Sequence, residues 1–218
     1  MSDPVDPALP DVLPIFPLTG VLLLPRGRLP LNIFEPRYLA MTRDAMEGER
    51  LIGMVQPADP SIREMNPAVY PTGCAGRITS FSETDDGRFL ITLTGVSRFR
   101  IREELLLLSG YRRVVAEWDD FADDRNPDEA VFDRARLTRG LRAFFSQRQV
   151  KADWDAVDQA PGEHLVTSIA MMCPFAPNEK QALLEAKTLD ERARLLTGLI
   201  EMALTAPPPD PEGGVTRH

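Results

Sequence analysis

Three lysines, two histidines and two cysteines are spread over 218 residues, and each scarcity removes a class of chemistry. None of Lys151, Lys180 and Lys187 follows a glycine, so a phosphate loop of the Walker type is excluded and no ATPase is expected. A Ser–Lys peptidase dyad would need a lysine near a serine in a glycine-rich strand–helix setting; Lys151 lies five residues after Ser146, but both sit on a polar helix end that reads as solvated surface. A histidine-based triad would rest on His164 alone, in the first turn of a helix beside Glu163, because His218 is the terminal residue. Cys74 and Cys173 belong to no CxxC or Cys/His cluster, so neither a metal site nor a disulfide framework is expected. They read as reduced, partly buried thiols. GxSxG and GxGxxG do not occur, and the acid runs Asp119-Asp120 and Asp123-Asp124 lack calcium-loop spacing and read as a solvated linker. The reading is of a protein that is not an enzyme and needs no cofactor.

Long apolar runs are also missing. Val21–Leu24 and Leu105–Leu108 are far too short to span a bilayer. The opening MSDPVDPALPD is acidic and proline-rich, the opposite of a signal or transit peptide, so a cytoplasmic protein without a membrane partner is expected. The net charge of −8 argues against general affinity for phosphate backbones. Residues 1–12 read as a flexible leader and 206–218 as a disordered tail, since neither offers much to bury.

The sequence between these ends changes period near residue 122. From 13 to 122, proline and glycine punctuate short apolar stretches: Ile15–Phe16, Val21–Leu24, Leu51–Val55, Arg77–Phe81, Phe89–Thr94, Arg98–Arg102 and Tyr111–Trp118. Thr84-Asp85-Asp86-Gly87 supplies hairpin-turn chemistry. After it Phe89, Ile91 and Leu93 alternate with Leu90, Thr92 and Thr94, and the alternation of Phe99 and Ile101 with Arg98, Arg100 and Arg102 points Phe99 inward. One helix interrupts, opened by Pro36, carrying Tyr38, Met41, Ala45 and Met46, and ended by Gly48. Many short strands with such turns predict a small, partly closed barrel.

From 123 to 205 the period is 3.6. Asn126-Pro127-Asp128-Glu129 reads as a helix start, followed by the stripe Val131, Ala135, Leu141 and Phe145. A second helix carries Leu165, Ile169 and Met172 up to Pro174, and a third follows Pro177 with Leu183 and Leu184. Thr188-Leu189-Asp190-Glu191 is a capping box opening a fourth, whose inner side is Leu189, Ala193, Leu196 and Ile200. The fold class is α+β, a small barrel subdomain followed by a helical bundle that packs on it.

The stretches Leu13–Leu18 (LPIFPL), Val21–Arg26 (VLLLPR) and Leu29–Tyr38 (LPLNIFEPRY) resemble the opening of the Lon protease substrate-binding domain. The resemblance returns at Gly73–Ile78 (GCAGRI), Asp86-Gly87-Arg88 and Gly95-Val96-Ser97-Arg98-Phe99, and in the helices at Lys180–Glu185 and Asp190-Glu191-Arg192. Leu24-Pro25 stands where the family commonly writes Phe-Pro, and Cys74 replaces a common threonine; both departures are small. The resemblance implies a PUA-like barrel, a helical bundle, and recognition of polypeptide clients, here without the ATPase and peptidase that normally accompany the domain.

Two surfaces compete for a function. Leu31, Phe34 and the run Leu105, Leu106, Leu107, Leu108 are candidates for client binding, although Leu22, Leu24, Leu31, Ile33 and Phe34 also read as core. Four leucines without alternation must show apolar surface to both faces of a strand, and an open face would be a partner patch. Glu35 and Arg37 read as a structural ion pair. The alternative is an RNA-binding module on the stripe Arg98, Arg100, Arg102, Arg112 and Arg113, in a stretch from Arg88 to Arg113 with six arginines and two acids. Few aromatic residues interleave with those arginines, so base stacking is poorly supported. A hydrolase would need perturbed carboxylates around a cleft. The leading expectation is a non-catalytic module for unfolded or exposed polypeptide segments, serving a separate protease or acting alone.

Overall fold

Period-two burial organises the first half of the computed structural model, which describes residues 9–62, 64–126 and 131–205. β1 (Val12–Pro17) buries Leu13 and Ile15, and pairs in parallel with β3 (Leu51–Val55) and antiparallel with β6 (Tyr111–Glu117). The other strands are β2 (Arg28–Ile33), β4 (Thr72–Glu83) and β5 (Phe89–Leu108). Strand order is β2-β5-β4-β3-β1-β6, and a further pairing of β5 with β6 closes the last five of these into a barrel. β2 lies outside the closure, on the first part of β5, with Pro30 in a strand that has a free edge. α1 (Pro36–Glu47) packs on this barrel through Tyr38, Met41 and Ala45.

The sequence expected two strands where there is one. β5 runs for 20 residues, pairing first with β2 and β4 and later with β6. Gly95 reads as punctuation in the sequence, but the strand passes through it. Arg26 donates to the Gly95 carbonyl and Gly95 donates to Gly27, both at 2.8 Å. A Cβ on Gly95 would lie 2.0 Å from the Leu24 carbonyl oxygen, so glycine is needed for the approach of another backbone. The backbone that approaches belongs to the expected strand Val21–Leu24. It is not a strand: Leu22, Leu23 and Leu24 are buried, but the segment crosses the barrel wall without joining a ladder.

The barrel interior is a small core of Leu13, Ile15, Leu51, Val55, Ala75, Phe99, Val114 and Ala116. Phe99 does point inward, and fills the space left by Gly73 on β4 and Gly53 on β3. A larger core spans both halves of the chain, joining Leu22, Ile33, Met41 and Leu93 to Leu137, Leu165, Leu183 and Leu196. The thiols of Cys74 and Cys173 are free and buried.

After β6 a 3-10 helix (Asp119–Arg125) leads to α2 (Arg134–Gln147), α3 (Trp154–Gln159), α4 (Gly162–Met172), α5 (Pro177–Glu185) and α6 (Leu189–Thr205). The helix start expected at Asn126 is corrected. Pro127, Asp128 and Glu129 lie outside the described residues, Asn126 is extended, and α2 is capped by Asp133, which accepts from the Arg136 N–H at 2.8 Å. Val131 and Ala135 are consequently exposed, and the buried stripe is Leu137, Leu141, Phe144 and Phe145. Met172 likewise faces outward at the end of α4, where Leu165, Val166, Ile169 and Ala170 are buried. α3 was not expected; it is a single turn and a half with no fully buried residue. At α6 the Thr188 hydroxyl accepts from the Glu191 N–H at 3.1 Å, while the Glu191 carboxylate reaches the Lys187 N–H at 2.9 Å.

Polar bonds fix how the halves meet. Arg98 is only 4% exposed, and its guanidinium is held by Asp124 at 2.7 and 2.9 Å and by the carbonyls of Leu184 and Lys187 at 3.0 and 3.1 Å. The Asp124 carboxylate also accepts from the Arg98 backbone N–H at 2.8 Å. Asp124, read from the sequence as part of a solvated linker, is therefore buried and paired. Nearby, the Gln56 amide bridges to Gln181, which donates to Thr72, and Lys180 donates to the Gly20 carbonyl at 2.8 Å.

Two substitutions test this frame. Gly95→Ala should lower unfolding free energy by about 3 kcal/mol in urea, since the added carbon meets backbone that cannot rotate away. Arg98→Met and Asp124→Asn should each cost about 3–5 kcal/mol, because each leaves a buried partner uncompensated. The double variant Arg98→Met/Asp124→Leu should recover much of that loss; a merely additive loss would mean that the pair is not the seam's organising contact.

Candidate client-binding surface

Leu105–Leu108 forms the end of β5, just before a tight turn at Ser109 and Gly110, both with positive φ. The ladder to β6 slips by one residue here, from Leu105 opposite Arg113 to Leu108 opposite Tyr111. Two residues, Leu106 and Leu107, thus stand against one. A bulge of this kind breaks the alternation that would send every second side chain inward. Leu106 is 89% exposed, Leu107 and Leu108 are also exposed, and Leu105 is half-buried.

Two arginines staple neighbouring segments to this tip. Arg112 makes a two-pronged pair with Glu104, 2.7 Å at each oxygen, and donates to the Pro67 carbonyl at 2.8 Å. Arg37 donates to the Met65 carbonyl at 2.8 Å and pairs with Glu35 at 3.0 Å. A Cβ on Gly110 would lie 3.5 Å from the Arg37 Cβ, so the hairpin turn and the start of α1 are in contact range. The segments so joined carry further exposed apolar side chains: Met65 at 74%, Phe34 at 63%, and Ile62. On the other flank, Leu108 and Tyr111 line a groove of about 190 Å³ with Val12, Leu13, Ala45 and Leu51. The Tyr111 hydroxyl donates to Asp44 at 2.8 Å, and burial together with that bond pushes its pKa up to about 12.

Of the sequence candidates, Phe34 and Leu106–Leu108 lie on these stapled segments. Phe34 was also read as core and is not. Leu31 is half-buried in β2, opposite Ile91, and packs against the larger core. Met65 and Ile62 carry no periodic signal in the sequence, being lone apolar residues in a polar loop.

The five arginines of the alternative surface are dispersed in role. Arg98 and Arg112 are buried in the contacts described; Arg100 pairs with Asp120 at 2.6 Å, and Arg102 lies 4.0 Å from Glu117. Arg113 reaches the Leu106 carbonyl at 3.4 Å, and its Nε is buried without a partner. Among the described residues, the carboxylates with clearly moved ionisation are Asp59, Asp86 and Glu201, each held below its ordinary value first by a side-chain hydrogen bond, from Ser61, Thr84 and Arg136 respectively. A general acid needs the opposite shift. Among the described residues no three His, Cys, Asp or Glu side chains are grouped to hold a metal ion, and no helix is long and apolar enough to cross a membrane. His164 is exposed.

A closed β-barrel continued by a packed helical bundle, with an apolar hairpin tip, defines the class of fold. Residues 12–202 match the family model of the ATP-dependent protease La (LON) substrate-binding domain, and the chain belongs to that family. It is 28% identical over 202 residues to Lon protease 2 of Myxococcus xanthus, and 27% over 202 residues to the Lon protease of Anaeromyxobacter dehalogenans. These alignments cover 88% of this chain but 24% and 23% of the relatives, so the chain spans about a quarter of their length. Among solved structures, the Lon N-terminal domain protein from Xanthomonas campestris superposes with a TM-score of 0.59 at 23% identity, covering 86% of this chain and 97% of that one. The N-terminal domain of the Mycobacterium avium complex Lon protease gives 0.63 at 16% identity, over 87% and 98%.

Proposed function

We propose that this chain is a non-catalytic module that holds exposed apolar segments of polypeptide clients at the β5–β6 tip. The observation that carries the reading is the bulge that turns Leu106 and Leu107 outward together beside Leu108, with exposed Phe34 and Met65 on the segments stapled to the tip by Arg37 and Arg112. Apolar side chains gathered on stapled segments are a typical partner surface. Membership in a substrate-binding family supports the same reading, and a cytoplasmic role beside a separate protease is the setting it fits. Recognition here is broad: the leucines offer area without oriented donors or acceptors, so a client is selected by exposed apolar surface rather than by a fixed motif. The dispersal of the arginines into internal contacts favours this over the RNA reading.

Fluorescence titration with a labelled, permanently unfolded model protein should give saturable binding with Kd of about tens of micromolar. The paired substitution Leu106→Asp/Leu107→Asp should weaken it by about tenfold or more. Because both residues are exposed, Tm should stay nearly constant, with stability changed by less than about 0.5 kcal/mol. Undiminished binding by that variant would move the site elsewhere, and no binding by the unaltered chain would end the proposal.

A further inference from the structure

The leucine run is shared between two depressions. Leu105, Leu106 and Leu107 line a shallow one of about 440 Å³, together with Asn66, Glu103 and Glu104. Leu108 and Tyr111 line the narrower groove on the other flank, which is also bordered by Asp44, Glu49 and Arg113. Four carboxylates thus edge the leucines, and two guanidiniums answer them: Arg112, paired with Glu104, and Arg113 in the groove. Arg113 is turned to the Leu106 carbonyl at 3.4 Å. Glu35 and Arg37, at the start of α1, pair with each other and cancel. The border therefore carries an excess of negative charge. Glu103 and Glu49 are exposed, and neither has an ion pair among the described residues.

Charge at the edge of an apolar surface acts on different client residues from the surface itself. The leucines gain from any apolar segment, because burial of apolar area is not directional. The residues flanking that segment come to rest at the border. A cation there meets Glu103 or Glu49 as opposite charge, and an anion meets the same carboxylates as like charge. The stem of a lysine or arginine also lies along apolar wall while its head stays in water beside the acid, so a basic flank adds contact that an acidic flank lacks. The net charge of −8 acts in the same sense at longer range and favours approach of cationic segments. Exposed pairs contribute little each, so the result is a preference and not a requirement.

We propose that the clients preferred at this tip are polypeptide segments whose apolar residues are flanked by lysine or arginine. The leucines hold the apolar part, and Glu103 on one side and Glu49 on the other hold the cations. The inference rests on the client-binding reading above and adds to it the chemical class of segment. From Glu103 to Leu108 the strand covers roughly 16 Å at about 3.3 Å per residue, so an extended client sets its basic flanks about five residues apart.

Fluorescence polarisation of labelled peptides with the full chain provides the test. Three peptides share a core of apolar residues of that length and carry lysine, glutamine or glutamate pairs at both ends; a fourth carries lysine pairs around a core of glycine and serine. At low ionic strength the lysine-flanked apolar peptide should bind about fivefold tighter than the glutamine-flanked one, and the glutamate-flanked one more weakly still. Sodium chloride at about 0.5 M should close most of that gap. The double variant Glu49→Gln/Glu103→Gln should shrink the preference to less than about twofold without moving Tm, since both side chains are exposed. A lysine preference that persists in the double variant overturns the proposal, as does a glycine-serine peptide that binds as tightly as its apolar counterpart. Equal binding of the three apolar peptides, lost in Leu106→Ser/Leu107→Ser, also overturns it while the client reading stands. No binding by any apolar peptide ends both.

Discussion

The pairing of Arg98 with Asp124 is the contact on which the arrangement of the two halves depends. Arg98 sits on β5 immediately before Phe99, and the alternation that puts Phe99 inside the barrel puts Arg98 outside. Outside, however, is not water, because the helical half covers that face. A guanidinium there must be given acceptors, and they come from the 3-10 helix (Asp124) and from the end of α5 and its following turn (Leu184, Ala186, Lys187). Carbonyls at a helix C-terminus are good acceptors for a cation, being unpaired within the helix and at the negative end of its dipole. One side chain therefore sets the positions of three segments far apart in sequence. An apolar residue of similar size could stabilise the same contact as well, but would leave the halves freer to slide.

That bonded seam leaves the opposite end of β5 with a different character. Along the seam, Arg98, Gln181 and Lys180 each hold partners from distant elements. At the tip, the segment around Met65 and Pro67 is held at its base by the Ala58–Ala68 and Tyr70–Gln56 backbone bonds, and further out by Arg37 and Arg112 on the Met65 and Pro67 carbonyls. Apolar side chains at the tip stay exposed, so it is fixed in its backbone while those side chains remain free to turn. For the function proposed above, that freedom of side chains would let the surface accommodate varied apolar segments.

Much of this frame was legible from residues. The Thr84–Gly87 turn, the alternation after it, the helix from Pro36 to Gly48 and the cap at Thr188 each depend on local physics, and each stands where local physics puts it. What was not legible depends on neighbours distant in sequence. Gly95 looks like a turn signal unless one knows that Leu24 crosses it. Asp124 looks like one more acid in a solvated run unless one knows that Arg98 is covered. Val131 fits a helical stripe only while Asp133 is not recognised as the cap that starts α2 two residues later. The same limit applies to the surfaces: the leucine run was visible, but the bulge that opens it, and the Met65 loop beside it, arise from pairing and from Arg37 and Arg112.

An exposed leucine cluster also has to avoid its own kind. Here the sequence supplies two restraints. The net charge of −8 opposes close approach of two copies, and the pair Glu103-Glu104 stands immediately before the leucines on the same strand. Glu104 is partly committed to Arg112, but Glu103 is exposed and unscreened by any ion pair among the described residues. Like charges facing each other across a symmetric contact penalise self-association at the tip; under the proposed function, a client lacking that acidic pair would meet the leucines without the penalty. Discrimination between self and client then requires no specific client side chain, which is the condition that a broad binding surface has to meet.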